Sequence, residues 1–499
     1  ATIHLALHHV ALLGVFSAIS VLSGCGDMST RALNRPAPSP ASAADDSVSA
    51  PRIDRPAVAP ATAAAPSEAP DAHLPDATGD DAEPAVTDAG NAMRTAPIGS
   101  LTSPHLLRHF YESLAHLEDG HAHDDVRILQ YGDSHTASDL GTGALRRTLQ
   151  QRFGDGGRGF VSIGKPWKKY TQDGIHSGMS KEFAPEKGGK APRAKDDPHT
   201  RHATPHANDG CHGLLGVAVE ADVRGAEAWT ESISPASRIE LAFLEQPRGG
   251  SFDVFVDGAK VTRVATRAAK LQSGFNAIDV AETAHKVLVR AVGDGDVRVF
   301  GMTLDRSTAG VTVDSLGING AQIYTALAWN EGCFAEQLKH RAPHLVVLAY
   351  GTNESMNRTP AAEYERKLVD LLGRVARAVP NASCLLLGPP DRAAESKKDE
   401  WATAPKLQEI VLSQRRVAEA AGCAFYDQLE AMGGAGSIAL WSKEPHPRAG
   451  RDRVHLTREG YAQLANAFAA DLLRAYGVWR SDNGLAPTSA PPPRTLATP

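Results

Sequence analysis

No long run of lysine or arginine occurs in these 499 residues, and 52 Lys and Arg stand against 58 Asp and Glu, a formal net charge of −6. Such a balance gives nucleic acid no electrostatic footprint, so it is not an expected partner. Long apolar runs are scarce too. The stretch from Val10 to Leu22 is apolar but too short for a comfortable membrane span. Aromatic residues make up 6% of the chain, and hardly any fall between Gly26 and about Ile98, where Ala, Pro, Asp and Ser dominate. A segment of that composition cannot bury enough apolar surface to offset its ordering entropy, which predicts a disordered tether. The tail from about Asn483 to Pro499 reads the same way. Elsewhere the balance of apolar and charged residues is that of ordinary globular protein, long enough for roughly two or three units.

Cysteine is sparse, with five in all. The first, Cys25, closes the run Leu22-Ser23-Gly24-Cys25 directly after the apolar stretch. This resembles a bacterial lipoprotein signal, in which Cys25 becomes the acylated first residue of the mature protein. One departure is that no Lys or Arg precedes Val10, and a plain cleaved secretory peptide is the alternative. Either reading implies export, and the lipoprotein reading adds a lipid anchor holding the protein at the membrane, most simply the outer membrane facing the periplasm. The remaining Cys211, Cys333, Cys384 and Cys423 are even in number, which permits two disulfides without dictating a pairing.

Short apolar runs alternate with helical patterns on both sides of the chain's middle. Ser103-Pro104 reads as an N-cap and first-turn proline, followed by Leu106, Leu107, Phe110, Leu114 and Leu117 at helical spacing. Val126 to Tyr131 then reads as a strand, and Leu140, Leu145, Leu149 and Phe153 as a helix. After about residue 311 the alternation returns, with strands at Leu345–Tyr350, Ser383–Leu387 and Cys423–Tyr426. Helices are expected near 323–338, 360–375, 406–421 and 457–476, with Leu456 and Tyr461 placed as a hydrophobic staple on the last. This pattern predicts a parallel sheet covered on both faces. Between about Leu214 and Arg306 the period switches to two, as in Phe252-Asp-Val-Phe-Val-Asp-Gly, which predicts an inserted β-sandwich. The expected organisation is therefore a signal with its lipobox cysteine at 1–25, a tether at 26–98 and an α/β domain at 99–155. A loop-rich insertion at 156–213 and a β-sandwich at 214–310 follow. The α/β domain resumes at 311–480, and a tail occupies 481–499.

Four short segments carry the chemistry. Gly132-Asp133-Ser134-His135 puts a serine on the turn after a strand, at the carboxyl edge of the sheet. Ser315 to Gly320 precedes a helix and offers backbone N–H groups with no side chain in the way. Gly351-Thr352-Asn353-Glu354 follows the strongest strand. Asp452-Arg453-Val454-His455 stands just before the last helix. In this order the segments resemble the sequence blocks of the SGNH/GDSL hydrolases, whose fold is a three-layer α/β/α sandwich around a parallel sheet. The resemblance implies Ser134 as nucleophile, Asp452 and His455 as the base pair, and Ser134, Gly320 and Asn353 as oxyanion donors. A serine hydroxyl needs a base to remove its proton, and a neutral imidazole oriented by a carboxylate supplies one. His135 is a departure, standing where the broad family often has Leu. Gly320 fits its block better than Gly317. Asp133 is expected to hold the turn.

A narrower resemblance lies in Gly132-Asp-Ser-His-Thr-Ala-Ser-Asp139, in Gly154-Asp-Gly-Gly-Arg-Gly-Phe160 and in the β-rich insert before Ser315-Leu-Gly-Ile-Asn-Gly-Ala321. These look like the bacterial peptidoglycan O-acetylesterases, whose insert is similar to a carbohydrate-binding module. The resemblance implies an O-acetylated glycan as partner and removal of the 6-O-acetyl group of N-acetylmuramic acid through an acetyl-enzyme. An O-acetyltransferase using the same triad, or an esterase for another exported polysaccharide, is the neighbouring alternative, and a non-catalytic glycan-binding lipoprotein a more distant one. No cofactor or metal is expected. His121, His123, Asp124 and Asp125 read as solvated loop, and His202, His206 and His212 lack thiolate or carboxylate partners at ligand spacing and read as surface residues.

Overall fold

The structure, a computed structural model, describes residues 98–122, 124–187, 209–397 and 400–485. The signal, Cys25, the tether, most of the tail, His123, His202 and His206 lie outside the described residues.

The central sheet contains β1 (Leu101–Thr102), β2 (Val126–Gly132), β3 (Val311–Gly317), β4 (Leu345–Ala349), β5 (Ser383–Leu387) and β6 (Ala424–Tyr426). Their order is β1-β6-β5-β4-β2-β3, parallel throughout except for the short edge strand β1. Period-two side-chain alternation sorts each apolar run onto two faces. Ile128, Val313, Leu345, Val347 and Leu385 pack on one side with Phe110, Leu149, Phe468 and Leu472 of helices Arg108–Glu118, Leu140–Phe153 and Arg458–Asp482. Leu129, Tyr131, Leu316, Val346 and Leu386 pack on the other with Phe334, Leu368, Leu371 and Ile410 of helices Glu331–Arg341, Ala361–Ala378 and Pro405–Ala421. Both faces are thus covered, which is why Leu345–Ala349 reads as a continuous apolar run. The first helix begins later than its proline. Ser103 lies in the left-handed region (φ 52°) without a side-chain cap, and Pro104–Leu107 form a 3-10 turn before the α-helix.

Between β2 and β3 the chain leaves this sheet and forms two antiparallel ones. Strands Ala259–Ala265, Ser251–Val256, Lys286–Ala291, Glu227–Ser232 and Ile175–Met179 are neighbours in that order in the first. The second runs Gln272–Thr283, Ala236–Glu245, Val297–Asp305, Val217–Ala221 and Ala184–Lys187, with Gly157–Val161 also paired to Val297–Asp305. Phe252, Val254 and Val289 from the first sheet share one apolar cluster with Ile239, Leu241, Val299 and Met302 from the second. The loop-rich insertion expected over 156–213 also holds three strands, Gly157–Val161, Ile175–Met179 and Ala184–Lys187. Glycine hid them: a Cβ on Gly159 would come within 2.1 Å of an Asp314 carboxylate oxygen, so close crossing of the central sheet demands the residue that most resembles loop.

Two disulfides join segments distant in sequence, Cys211 to Cys333 and Cys384 to Cys423. The second clamps β5 to the start of its parallel neighbour β6. His212, expected at the surface, is instead mostly buried, and burial together with the charge of Arg298 pushes its imidazole down to about 4. Asp124 and Asp125 also have structural partners: Asp124 pairs with Arg127, and Asp125 is buried and accepts the Gly310 N–H at 2.9 Å.

Candidate active site

Three adjacent strands, β4, β2 and β3, end level with one another, with Gly132 opposite both Gly317 and Ala349. The chain enters β2 first and then places later strands on either side of it. The crevice outside these carboxyl ends is thus the topological switch point where open α/β sheets bind ligands. Register alone therefore brings three of the four sequence blocks to one place.

Ser134 opens a one-turn helix, Ser134–Ala137, whose N-cap Asp133 accepts the His135 N–H at 3.0 Å. As a first-turn residue, Ser134 has no intrahelical acceptor for its own N–H. Gly317 makes this turn fit, because a Cβ there would come within 2.1 Å of the Ala137 nitrogen. Gly320 differs. It takes φ +76° in the turn after β3, and a Cβ there would meet nothing within 4 Å. Gly317 is thus occupied with packing the serine turn, while Gly320 leaves its backbone facing open space.

The fourth block comes from the loop before the last helix. Arg453 lies in the left-handed region (φ 52°), and the Gly450 N–H donates to the His455 carbonyl at 2.7 Å, so the chain curls back on itself. Thr457 caps the helix by accepting the Gly460 N–H, with Leu456 and Tyr461 buried together around it. In this curl the Asp452 carboxylate accepts the N–H groups of Val454 at 3.1 Å and His455 at 3.0 Å, and His455 Nδ1 at 2.7 Å. With Nδ1 donating to the carboxylate, Nε2 is left to accept, and Ser134 Oγ lies 2.9 Å from it. Partial burial opposes ionisation of Asp452, but the hydrogen bonds from His455 and Val454 outweigh it and hold the carboxyl below its ordinary range. The His455 and Asp452 side chains remain 45% and 52% exposed, so the site is shallow and open.

Asn353 donates its side-chain amide to the Ala321 carbonyl at 2.9 Å. That uses one of two amide protons and fixes the direction of the other. Glu354 completes the link, accepting from the Ile323 N–H at 2.8 Å and the Gly351 N–H at 3.1 Å. Burial raises its carboxyl to about 7. The Gly320 turn and the Asn353 turn are therefore one hydrogen-bonded unit.

The structure brings Ser134, Asp452 and His455 into a single hydrogen-bonded chain and sets the Gly320 and Asn353 turns at the same sheet edge. Such an arrangement can remove a hydroxyl proton and steady a tetrahedral oxyanion. Two further residues of the site, His135 and Arg392, had no role assigned from the sequence. His135 hydrogen-bonds the Tyr461 hydroxyl at 2.9 Å and lies 5.4 Å, ring to ring, from His455. Burial, with the charges of His455 and Arg392, pushes its imidazole down to about 3. Arg392, just beyond the end of β5, donates to the Thr352 carbonyl at 3.1 Å. Its one sequence cue is its place after an apolar strand of the parallel sheet. Among the described residues no group of His, Cys, Asp and Glu is arranged to hold a metal ion.

Comparison with known proteins agrees with this geometry. Residues 283–463 match the model of the GDSL-like Lipase/Acylhydrolase family, a span that includes Gly320, Asn353, Asp452 and His455 but not Ser134. A solved structure described as a peptidoglycan O-acetylesterase in action is similar over 76% of this chain and 100% of its own, at 24% identity and a TM-score of 0.62. A family two carbohydrate esterase from Clostridium thermocellum in complex with cellohexaose matches 53% of this chain and 95% of its own, at 12% identity. Its TM-score of 0.25 is too low to bear on the fold. A search of curated proteins finds no match. The chain carries a GDSL-like acylhydrolase domain on an SGNH-type fold.

Proposed function

We propose that this carboxylic ester hydrolase of the GDSL type removes O-acetyl groups from cell-wall peptidoglycan, at the 6-hydroxyl of N-acetylmuramic acid. The observation that carries the reading is the continuous chain from Ser134 Oγ through His455 to Asp452. His455 takes the serine proton as Oγ attacks the acetyl carbonyl, and Asp452 stabilises the imidazolium that forms. The N–H groups of Ser134 and Gly320 and the free amide proton of Asn353 receive the oxyanion. Collapse returns the proton to the sugar oxygen and leaves an acetyl-enzyme, which water then hydrolyses with His455 again as base.

The substrate class is supported by three features. The fold is similar, over 76% of this chain, to the whole length of a protein described as a peptidoglycan O-acetylesterase. The half-exposed triad suits a small acyl group on a bulky polymer better than a long acyl chain, which needs a deep pocket. We read the two antiparallel sheets as an inserted, carbohydrate-binding-like β-sandwich that holds the glycan strand near Ser134. A lipid on Cys25 would tether the enzyme to the outer membrane within reach of the wall, and Cys25→Ser would then shift it from the membrane to the soluble fraction. The deciding experiment measures acetate released from O-acetylated peptidoglycan, acetylated xylan and an aryl acetate, with no acceptor sugar present. Peptidoglycan should be the preferred polymer. Preference for xylan would overturn the substrate, and a requirement for an acceptor would make the enzyme a transferase.

A further inference from the structure

Among the described residues five arginines are buried, Arg146, Arg158, Arg298, Arg341 and Arg480, and each sits against a carboxylate. Arg392 differs. It is half-buried at the catalytic edge of the sheet, and among the described residues no carboxylate lies within ion-pair distance of it. Its backbone is fixed, with the N–H donating to Asp391 at 2.9 Å and the carbonyl accepting from Ala404 at 2.7 Å. One guanidinium nitrogen donates to the carbonyl of Thr352, the residue before Asn353, and the buried Nε has no partner.

Asp133, His135 and Asp452 all feel the Arg392 charge, which places it within the catalytic cluster. Neither nearby carboxylate is in ion-pair contact with it, although both act on it through space. Asp452 is held by His455 and two backbone N–H groups, and Asp133 by the His135 N–H through one oxygen, its other oxygen being buried without a partner. Arg358 and Arg451, flanking the Asn353 and Asp452 blocks in sequence, are exposed and likewise without a carboxylate partner among the described residues. Holding a guanidinium partly out of water without a counter-ion is costly, and the cost is recovered if an anion arrives with the substrate.

We infer that Arg392 is a substrate-binding residue that takes a carboxylate carried by the acetylated substrate close to the scissile ester. The inference rests on the esterase reading and refines its substrate to an anionic glycan. The planar fork offers two parallel N–H donors to a carboxylate, a geometry lysine does not reproduce. Only uncharged acetyl esters would leave this group idle.

The test uses a matched pair of small esters, 3-acetoxybenzoate and its methyl ester, and reads the ratio of their kcat/KM values. In the wild type that ratio should exceed the ratio for hydroxide-catalysed hydrolysis of the same pair. Arg392→Met should lower it at least about ten-fold, and Arg392→Lys should fall between. An unchanged ratio in Arg392→Met, whatever the loss in absolute rate, would make Arg392 a support for the Thr352–Asn353 turn and overturn the inference. If that variant does not fold, the wild-type ratio still decides: a value no greater than the hydroxide ratio overturns it equally. No turnover of either ester by the wild type would instead strike the esterase reading itself.

Discussion

Asp139 and Arg158 form a buried ion pair at 2.5 Å that ties the segment after Ser134 to the first strand of the β-rich region. Asp139 also accepts from Arg146 at 3.0 Å, from the Thr142 hydroxyl at 2.7 Å and from the Asp173 N–H at 3.1 Å. Arg158 donates onward to Gln172, whose amide reaches the Ser315 carbonyl at 3.1 Å. Burial opposes the charge on Asp139, and the Arg146 and Arg158 guanidiniums more than compensate. One carboxylate thus couples the serine turn, the inserted sheets and β3.

Removing that charge leaves two buried guanidiniums without their shared counter-ion. Asp139→Asn should destabilise the protein by about 3–5 kcal/mol, read from urea unfolding. A loss under about 1 kcal/mol would mean that water reaches the network and screens it.

Ser134→Ala and His455→Ala should each lower kcat on an aryl acetate by at least ~10³-fold, and the double variant should lose little more, because neither group acts without the other. Fully multiplicative losses would show that the 2.9 Å contact between them is not the productive one.

Much of this was legible beforehand, and the reasons are local. Leu345–Ala349 is buried on both faces, so its apolar character shows without interruption, Val126–Tyr131 is interrupted only by Arg127 and Gln130, and the polar blocks after both mark the sheet edge. What stayed hidden depends on contacts across the chain. Gly159 looks like loop until Asp314 is placed beside it. Cys211 finds Cys333 across 122 residues, a pairing no spacing rule selects. Arg392 belongs to no block, and only the fold brings it against Thr352.

Asn353→Ala should reduce kcat about 10²-fold, or roughly 3 kcal/mol, with a smaller change in KM, if its amide receives the oxyanion. The same side chain anchors the Gly320 turn through Ala321, so Asn353→Asp is the sharper control. It keeps the size but replaces the donor with a charge of the wrong sign, and should be at least as damaging. A rise in KM alone in both variants would leave Asn353 as a binding or structural residue.

His135 offers a pH test that does not depend on turnover. The folded protein holds its imidazole neutral, with the affinity for a proton pushed down to about 3 by burial and by the charges of His455 and Arg392. The unfolded chain binds a proton at about 6.5. Its contribution to stability is therefore fully present above about pH 6.5 and is lost as the pH falls toward about 3. Its edge reaches the surface, so solvent screening holds the loss to roughly 1–3 kcal/mol. His212, also lowered, to about 4, imposes a slope of the same sign, and Asp133, raised to about 6, one of opposite sign. Both persist in a His135→Gln variant and cancel in the comparison. Urea unfolding at pH 7, 6, 5 and 4 should thus show the wild type losing more stability than His135→Gln on acidification. Parallel curves would mean that His135 takes up its proton in the folded state, against the neutral ring that its place between Tyr461 and His455 requires.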